Sequence, residues 1–238
     1  MKIASILPYK ENYTSKGAGA VALWISDFVR DSEYKKNTYI IGSTKNKNYL
    51  TKNYINIDNI NSKLNSTTKE YSTKIIDKIK NLNFDILELH NRPIMVKEFF
   101  GKLNSKIILY FHNDPTTMKG AKSVNERIYL LNNCYRIIFN SNWSKKRFLQ
   151  KMKSEAINSE KLLVINQSAT KNKINFSNKK KIITFVGKLN RSKGYDLFGR
   201  AITKILDKYN DWSSIVIGDE PRDKLDFEHK NLKKLGFK

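Results

Sequence analysis

Two lysines and two glycines in the C-terminal third of the chain have the types and spacing of a phosphate-binding loop. Gly187 and Lys188 directly follow a short apolar run, and Lys193 and Gly194 precede a segment with apolar residues at helical spacing. A strand, a basic glycine turn and a helix in this order present backbone N–H groups and the positive end of a helix dipole. The pattern indicates a phosphate or diphosphate site, and an ordinary turn with solvated lysines is the alternative.

Two of the three histidines stand directly after apolar runs and could contact a substrate. His90 ends the run Ile-Leu-Glu-Leu-His, and His112 ends the run Ile-Ile-Leu-Tyr-Phe-His. A histidine at the carboxyl end of a strand can donate a hydrogen bond to a hydroxyl group or carry a proton near neutral pH. For His112 the alternative is a structural cap of the strand. His229 lies in a polar segment and is assigned no role.

A second glycine pair, Gly17 and Gly19, lies between the first predicted strand and the first predicted helix. Glycines at this point let a phosphate approach the backbone N–H groups closely. An ordinary loop-to-helix turn is the alternative. The position after the first strand favours binding, because ligands of open α/β sheets lie beyond the carboxyl ends of the strands.

These residues need a framework that positions them, and the hydrophobic pattern predicts one. Short apolar runs alternate with amphipathic segments, which predicts an α/β fold with a doubly wound parallel sheet covered on both faces. The predicted strands are Ile3–Leu7, Thr38–Ile41, Tyr54–Ile57, Ile86–Leu89, Ile107–Phe111, Ile137–Asn140 and Leu162–Ile165. The predicted helices are Ala20–Val29, Ser66–Leu82, Ile94–Leu103, Val124–Leu131 and Trp143–Met152.

The alternation stops at residues 167–181, which are rich in Ser, Asn and Lys and are predicted to form a linker. It restarts with a strand at Ile182–Val186, a helix that extends to Tyr209 and a strand at Ser213–Ile217. We therefore predict an N-terminal Rossmann-like domain over residues 1–166 and the first part of a second Rossmann-like domain over residues 182–238.

The segment Phe185–Leu206 resembles the group 1 glycosyltransferases, which are retaining nucleotide-sugar enzymes of the GT-B fold. Their donor-binding domain opens with Val-Gly-Arg-Leu, a spacer, Lys-Gly and an apolar helix, and here Lys188 stands where the family usually has arginine. The turn Gly218-Asp219-Glu220-Pro221 follows the next predicted strand, as a similar turn does in the family. The resemblance implies a GT-B fold with an acceptor-side first domain and a nucleotide-sugar-binding second domain.

The resemblance also implies a reaction and a set of site residues. The reaction is transfer of a sugar from a nucleoside-diphosphate donor to a hydroxyl of a glycan, lipid or small molecule, with retention at the anomeric carbon. His112 would contact the donor sugar near the reacting carbon. His90 and Arg92 would shape the acceptor side, although a structural role for them is equally open. The residues implied at the donor are Gly17, Gly19, Gly187, Lys188, Lys193 and Gly194.

Metal chemistry is not expected. The chain has no His/Cys cluster at zinc spacing and no Asp-x-Asp at a predicted strand end, and two basic residues can neutralise a diphosphate without a divalent ion. The nucleotide sugar is a co-substrate, so no cofactor is expected either. The carboxylate pair that the family carries further along its donor domain has no counterpart here. We therefore expect a fragment of an active enzyme, and a non-catalytic binding module or a degenerate remnant is the alternative.

The net charge of +23 raises the question of a polyanionic partner. The lysines are spread along the whole chain among Asn, Ile, Tyr and Phe, which is typical of A/T-rich coding, and there is no Arg-rich block. Compositional bias is therefore favoured over nucleic-acid binding. Weak contact with an anionic membrane stays open.

The chain has the composition of a folded protein in a reducing compartment. Its hydrophobic fraction of 39% argues against disorder, and Cys134 is the only cysteine, so an internal disulfide is excluded. No apolar run approaches the roughly 20 residues of a membrane span. We expect a cytoplasmic protein, with peripheral contact at the inner membrane face left open.

Overall fold

The computed structural model describes residues 1–45, 47–58, 60, 66–153, 159–168, 177, 179–219 and 225–236. The chain divides into two compact units, Met1–Lys171 and Asn172–Lys238. Most of the predicted linker 167–181 lies outside the described residues, as do Glu220 and Pro221 of the predicted turn. The domain boundaries given above stay predictions.

The first unit is built on a seven-stranded parallel sheet with the strand order β3-β2-β1-β4-β5-β6-β7. The strands are β1 Ile3–Ile6, β2 Thr38–Gly42, β3 Tyr54–Asn56, β4 Ile86–His90, β5 Lys106–Phe111, β6 Arg136–Phe139 and β7 Leu162–Val164. The helices are α1 Ala20–Arg30, α2 Thr67–Ile79, α3 Val96–Phe99, α4 Val124–Asn133 and α5 Asn142–Leu149. The strand order reverses between β1 and β4, and such a switch point is where doubly wound sheets bind ligands.

Serine caps explain where three of these helices begin. Ser66, Ser123 and Ser141 each accept a hydrogen bond from the backbone N–H three residues further on, at the starts of α2, α4 and α5. Glu126 bonds back to the Ser123 backbone and completes a capping box. Each cap follows a strand, so the loops that could carry function are anchored at the carboxyl edge of the sheet.

The second unit contains a three-stranded parallel sheet with the order β10-β9-β8. Its strands are β8 Ile182–Val186, β9 Ser213–Ile217 and β10 Leu232–Lys234, and helix α6, Tyr195–Lys208, connects β8 to β9. Helix α6 packs its buried face, which includes Ile202 and Leu206, onto this sheet. The unit is a partial Rossmann-like layer.

The predicted fold class is confirmed, because parallel strands alternate with helices in both units. The predicted helix Ile94–Leu103 is wrong in extent. A 3-10 turn at Pro93–Met95 leads into α3, which ends at Phe99. Phe100 leaves the helical region with a ψ of 126°, and Gly101 follows with a φ of 74°, a conformation that glycine adopts without strain and that ends helices.

Candidate functional site

Ser5, His90 and His112 form one row of hydrogen bonds near the carboxyl ends of β1, β4 and β5. Ser5 Oγ lies 2.9 Å from His90 Nε2, and His90 Nδ1 lies 3.0 Å from His112 Nε2. Gln167, in the segment after β7, places its Nε2 2.7 Å from His112 Nδ1. The row therefore engages both ring nitrogens of each histidine, and it crosses the switch point of the sheet.

Two asparagines at neighbouring strand ends hold the backbone of His112. Asn91 Oδ1 accepts a hydrogen bond from the His112 N–H at 2.8 Å, and Asn140 Nδ2 donates to the His112 carbonyl at 2.8 Å. Asn91 is buried and has a φ of 54°, a left-handed conformation that asparagine tolerates better than most residues. Sequence reasoning missed both asparagines, although each directly follows an apolar strand.

Aromatic rings enclose the two histidines. The Trp24 ring meets the His112 ring edge-on at 5.0 Å between centroids, and the Tyr110 ring stacks on His90 at 4.7 Å. Burial and the neighbouring His90 lower the pKa of His112 to about 3. His112 is therefore neutral near neutral pH. Of the two roles expected for His112, this favours hydrogen bonding over carrying a proton, and the role stays a prediction.

A buried carboxylate lies behind His90. Glu88 is 8% exposed, and its Oε1 accepts a hydrogen bond from the Tyr110 hydroxyl at 3.4 Å. Its Oε2 lies 3.9 Å from His90 Nε2. Burial, and then Glu88, raise the pKa of Tyr110, so this phenol remains a hydrogen-bond donor. The side chain of Glu88 was not singled out from the sequence, because its place in an apolar strand gave no sign of a polar partner.

Two other polar side chains near strand ends have defined partners. Arg92 donates from Nη1 to the Asn91 carbonyl at 2.9 Å. Asp114, just beyond His112, accepts hydrogen bonds from Thr116 and from Arg147 Nε, the latter at 3.0 Å. Within the described part of the chain, no group of three or more His, Cys, Asp or Glu side chains is placed to hold a metal ion.

The glycine turn before α1 contains an acidic side chain at the position where a phosphate was predicted. Gly17 has a φ of 79°, and Gly19 is the N-terminal cap residue of α1. Glu11 Oε1 accepts a hydrogen bond from the Ala22 N–H at 3.3 Å, and a Cβ on Gly19 would collide with the Glu11 carboxylate. A phosphate at Gly17 and Gly19 stays a prediction, and it would have to displace Glu11.

The loop between β8 and α6 is shaped by a buried asparagine. Asn190 Oδ1 accepts a hydrogen bond from the Ser192 hydroxyl, and its carbonyl accepts from the Lys193 N–H at 3.1 Å and from the Tyr195 N–H at 3.2 Å. Gly194 then begins α6 with a φ of 75°, and the space that a Cβ would occupy there is open. Among the described residues no side chain caps α6. An anion could therefore approach this helix terminus.

Two lysines accompany that open terminus. Lys193 is exposed and Lys188 is half-buried, and both belong to the same short loop. The acidic residue of the first turn, Asp196, is paired with Arg200 at 3.3 Å. The loop thus has the positive charge that a diphosphate requires, although no bound ligand marks the position.

Gly218 brings the end of β9 against the loop. The Leu189 N–H donates to the Asp219 carbonyl at 3.0 Å, and the Gly187 N–H donates to the Ile217 carbonyl at 3.0 Å. A Cβ on Gly218 would collide with the Gly187 carbonyl oxygen, so only glycine permits this approach. Gly218 and Asp219 therefore support the shape of the loop between β8 and α6.

Comparison with known proteins identifies a family for part of the sequence and a fold for the whole chain. Residues 166–236 match the sequence model of the family described as "Glycosyl transferases group 1". No curated protein sequence matches the chain significantly.

Several solved structures share the fold at low identity. The lipopolysaccharide outer core galactosyltransferase WaaB aligns with a TM-score of 0.58 at 14% identity, over 100% of this chain and 68% of its own. Sucrose-phosphate synthase from Thermosynechococcus elongatus has a TM-score of 0.66 at 9% identity, over 100% and 71%. UDP-GlcNAc 2-epimerase from Neisseria meningitidis, bound to UDP-GlcNAc, has a TM-score of 0.57 at 14% identity, over 100% and 73%. The alignment with TarM spans 71% of this chain and 36% of that chain, with a TM-score of 0.53 at 14% identity.

Sequence identities of 9–14% show the shared fold alone. The family match is independent of these structures and rests on the sequence of residues 166–236, most of which belong to the second unit. The resemblance seen at Phe185–Leu206 is confirmed by both comparisons. The chain has the GT-B fold, and its residues 166–236 match the model of the group 1 glycosyl transferases.

Proposed function

We propose that this protein transfers a sugar from a nucleoside-diphosphate donor to a hydroxyl acceptor, with retention at the anomeric carbon and without a metal ion. The observation that carries the proposal is the loop of residues 187–194, which lies in the family-matched segment and leaves the start of α6 accessible between two lysines. The names of the related structures, a galactosyltransferase and an epimerase bound to UDP-GlcNAc, support a nucleotide-sugar donor.

The chemical demand of this reaction is a leaving diphosphate that gains negative charge as the glycosidic bond breaks. Lys188 and Lys193 supply positive charge, and the N–H groups at the start of α6 supply oriented dipoles. Such groups stabilise the transition state when the loop holds them in place before the reaction. Asn190 and Gly218 provide that order, since both tie the loop to its neighbours.

The two glycine turns differ in a way that favours the second unit as the diphosphate site. At the start of α1, the Glu11 carboxylate already accepts the Ala22 N–H. At the start of α6, the cap residue Gly194 has no side chain, and the Tyr195 N–H donates to the Asn190 carbonyl. An incoming diphosphate would meet the Glu11 carboxylate at α1, whereas the loop before α6 carries Lys188 and Lys193. We therefore assign the diphosphate to Gly187, Lys188, Lys193 and Gly194 and give Gly17 and Gly19 a secondary role.

His112 serves this reaction as a neutral hydrogen-bonding group. Burial, and then His90, lower its pKa to about 3, which favours the neutral imidazole at neutral pH. Contact with a sugar hydroxyl through Nδ1 requires only that the hydroxyl replace Gln167 at that nitrogen. His90 has its ring nitrogens engaged by Ser5 and His112, which supports an indirect role rather than direct acceptor contact.

We also propose weak contact with an anionic membrane at the cytoplasmic face, through α5. Residues 143–153 contain five Lys and Arg residues and no acidic residue. Trp143 is 58% exposed in the first turn of α5, and its ring lies under the Arg147 guanidinium at 5.8 Å. Exposed tryptophan beside lysines suits a lipid headgroup region. No helix within the described residues is long and apolar enough to cross a bilayer.

The function is tested by incubating the purified chain with UDP-, GDP- and ADP-sugars and with polyol, glycan and lipid acceptors. We expect released nucleotide to match the new glycoside, with the anomeric configuration of the donor kept in the NMR spectrum of the product. Activity should persist in a chelator of divalent ions. Nucleotide binding without turnover would instead favour the binding-module alternative. Conversion of the donor sugar to its epimer would show that the protein is an epimerase and would contradict the proposed transfer.

A further inference from the structure

The hydrogen-bond row Ser5–His90–His112–Gln167 has a direction that its two ends determine. At one end, the amide nitrogen of Gln167 lies 2.7 Å from His112 Nδ1. An amide nitrogen only donates, so this ring nitrogen must accept. A neutral imidazole carries one proton, which then resides on His112 Nε2. That proton points at His90 Nδ1, 3.0 Å away, which must be an acceptor in turn.

The other end of the row requires the same direction independently. If His90 Nδ1 accepts, the proton of His90 resides on Nε2. This nitrogen lies 2.9 Å from Ser5 Oγ and 3.9 Å from Glu88 Oε2. A carboxylate at that distance in a buried site favours an N–H directed toward it over a lone pair. The Tyr110 hydroxyl donates to Glu88 and holds the carboxylate at this position. The packing of β4 against β5 therefore favours a proton on His90 Nε2.

We propose that His90 is a positioning residue that sets the tautomer of His112, with the result that His112 offers Nδ1 to the substrate as a hydrogen-bond acceptor. The group that binds there is then a donor such as a hydroxyl, because the esterified phosphates of a nucleotide sugar are fully ionised at neutral pH and have no proton to donate to Nδ1. That the hydroxyl belongs to a sugar rests on the proposed function. The tautomer itself rests only on the contacts of the row.

The surroundings keep the two rings from reversing the direction. Trp24 meets both histidines edge-on, at 6.0 Å from His90 and 5.0 Å from His112 between centroids. Tyr110 stacks on His90, and His90 is 1% exposed. Water therefore has little access to the proton between His112 Nε2 and His90 Nδ1. A flip of either ring would break several packing contacts at once.

The test is a two-bond ¹⁵N–¹H correlation spectrum of the chain labelled with ¹⁵N-histidine. Loss of one signal set in a His229→Gln variant identifies the histidine outside the row. We expect both remaining histidines to show a protonated Nε2 and an unprotonated Nδ1. A proton on His112 Nδ1, or an averaged pattern of two tautomers, would overturn the assignment.

Variants then ask whether His90 sets the tautomer. Because Gln167 also donates to His112 Nδ1, His90 is tested in a Gln167→Ala background. Gln167→Ala alone should keep the proton on His112 Nε2, whereas adding His90→Phe should move the His112 signals to an average of both tautomers. Glu88→Gln should shift His90 in the same way, whereas Glu98→Gln removes a carboxylate outside the row and should leave the pattern unchanged. An unchanged His112 pattern in the double variant would end the positioning role. If the double variant does not fold, Glu88→Gln in the Gln167→Ala background decides by the same signals.

The NMR measurement needs no substrate, so it distinguishes failure of the tautomer proposal from failure of the proposed function. A chain without transferase activity can still show the proposed tautomers, and an active enzyme can still show the reverse. Once an active donor and acceptor pair is known, His90→Phe should lower kcat about tenfold or more while KM changes little. The reason is that His90 orients His112 for the reacting geometry and does not itself bind the substrate.

Discussion

The Glu11 carboxylate accepts a hydrogen bond from the backbone N–H of Ala22 and so occupies the start of α1. An anion at that point complements the unsatisfied N–H groups and the positive end of the helix. The chain thus supplies its own anion where the glycine pair Gly17 and Gly19 suggested a phosphate. This contact is the reason why we propose the other glycine turn, at Gly187 and Gly194, as the diphosphate site.

Glu11→Gln should therefore destabilise the first unit. Removing the charge should lower the free energy of unfolding by about 0.5–1 kcal/mol, because the charge–dipole interaction is lost. Urea unfolding with and without inorganic phosphate measures the effect, and phosphate should stabilise this variant more than the unsubstituted chain. Glu33→Gln, on an exposed residue, is the matched control. Equal phosphate effects in both variants would contradict the anion role of Glu11.

Lys193→Ala should weaken the binding of a nucleoside diphosphate. Loss of one charge-assisted contact corresponds to about 1.5–3 kcal/mol, or roughly ten- to hundredfold in Kd. Calorimetric titration with UDP and GDP measures it. Lys204→Ala removes an exposed lysine from the middle of α6 and should change Kd less than twofold. Equal losses in the two variants would mean that only the net charge matters.

Lys188→Arg tests the departure of this chain from the family pattern. Arginine offers a planar fork that can bond two phosphate oxygens at once, whereas lysine offers a point charge. We expect UDP to bind several-fold more tightly to this variant. The same titration decides, and weaker binding would show that the present contacts of Lys188 suit lysine only.

His112→Gln should reduce the acid sensitivity of the first unit. The pKa of His112 falls from 6.5 to about 3 on folding, first through burial and then through His90. The unfolded chain therefore binds the extra proton between these values, and stability is full above the unfolded pKa and is lost as the pH falls. By about pH 5.5 the loss should be on the order of 1 kcal/mol in the unsubstituted chain.

Urea unfolding across this pH range measures the difference. The slope of the unfolding free energy against pH should be smaller in His112→Gln than in the unsubstituted chain. If His112→Gln keeps the slope of the unsubstituted chain, His112 does not titrate as the structure indicates.

Trp143→Ala should weaken binding to vesicles that contain phosphatidylserine. The exposed indole would lose its place among the headgroups, and Lys146→Glu should weaken binding further by reversing one charge. Co-sedimentation with phosphatidylserine and with neutral vesicles measures both. Tyr209→Ala removes an exposed aromatic residue from the second unit and should have no effect. Equal binding of all variants would remove α5 as the membrane contact.

Much of the fold could be predicted because its signals are local. The runs Ile182–Val186 and Ser213–Ile217 are strands with the predicted bounds. The first consists of apolar or β-branched residues throughout, and the second ends in three of them, Ile-Val-Ile. Such runs need no distant partner to be recognised. The helix predicted at Ile94–Leu103 failed because the apolar pattern continues past Phe100, whereas the backbone turns away there before Gly101.

The two histidines of the candidate site could be predicted from the sequence, whereas their polar neighbours could not. His90 and His112 were identified by their position after strands, and the structure places them side by side because β4 and β5 are neighbours in register. Glu11, Glu88 and Gln167 were missed, since nothing in their local sequence distinguishes them from ordinary polar residues.

The sequence by itself determined the order of strands and helices, the glycine turn with its two lysines and the resemblance of this turn to the group 1 glycosyl transferases. Only the tertiary structure showed that the Glu11 carboxylate lies at the start of α1 and that His90 and His112 share one row of hydrogen bonds. Local periodicity depends on residues a few positions apart. The contacts of His112 depend on the strand order that brings His90 and Gln167, 22 and 55 residues away, to the same edge of the sheet.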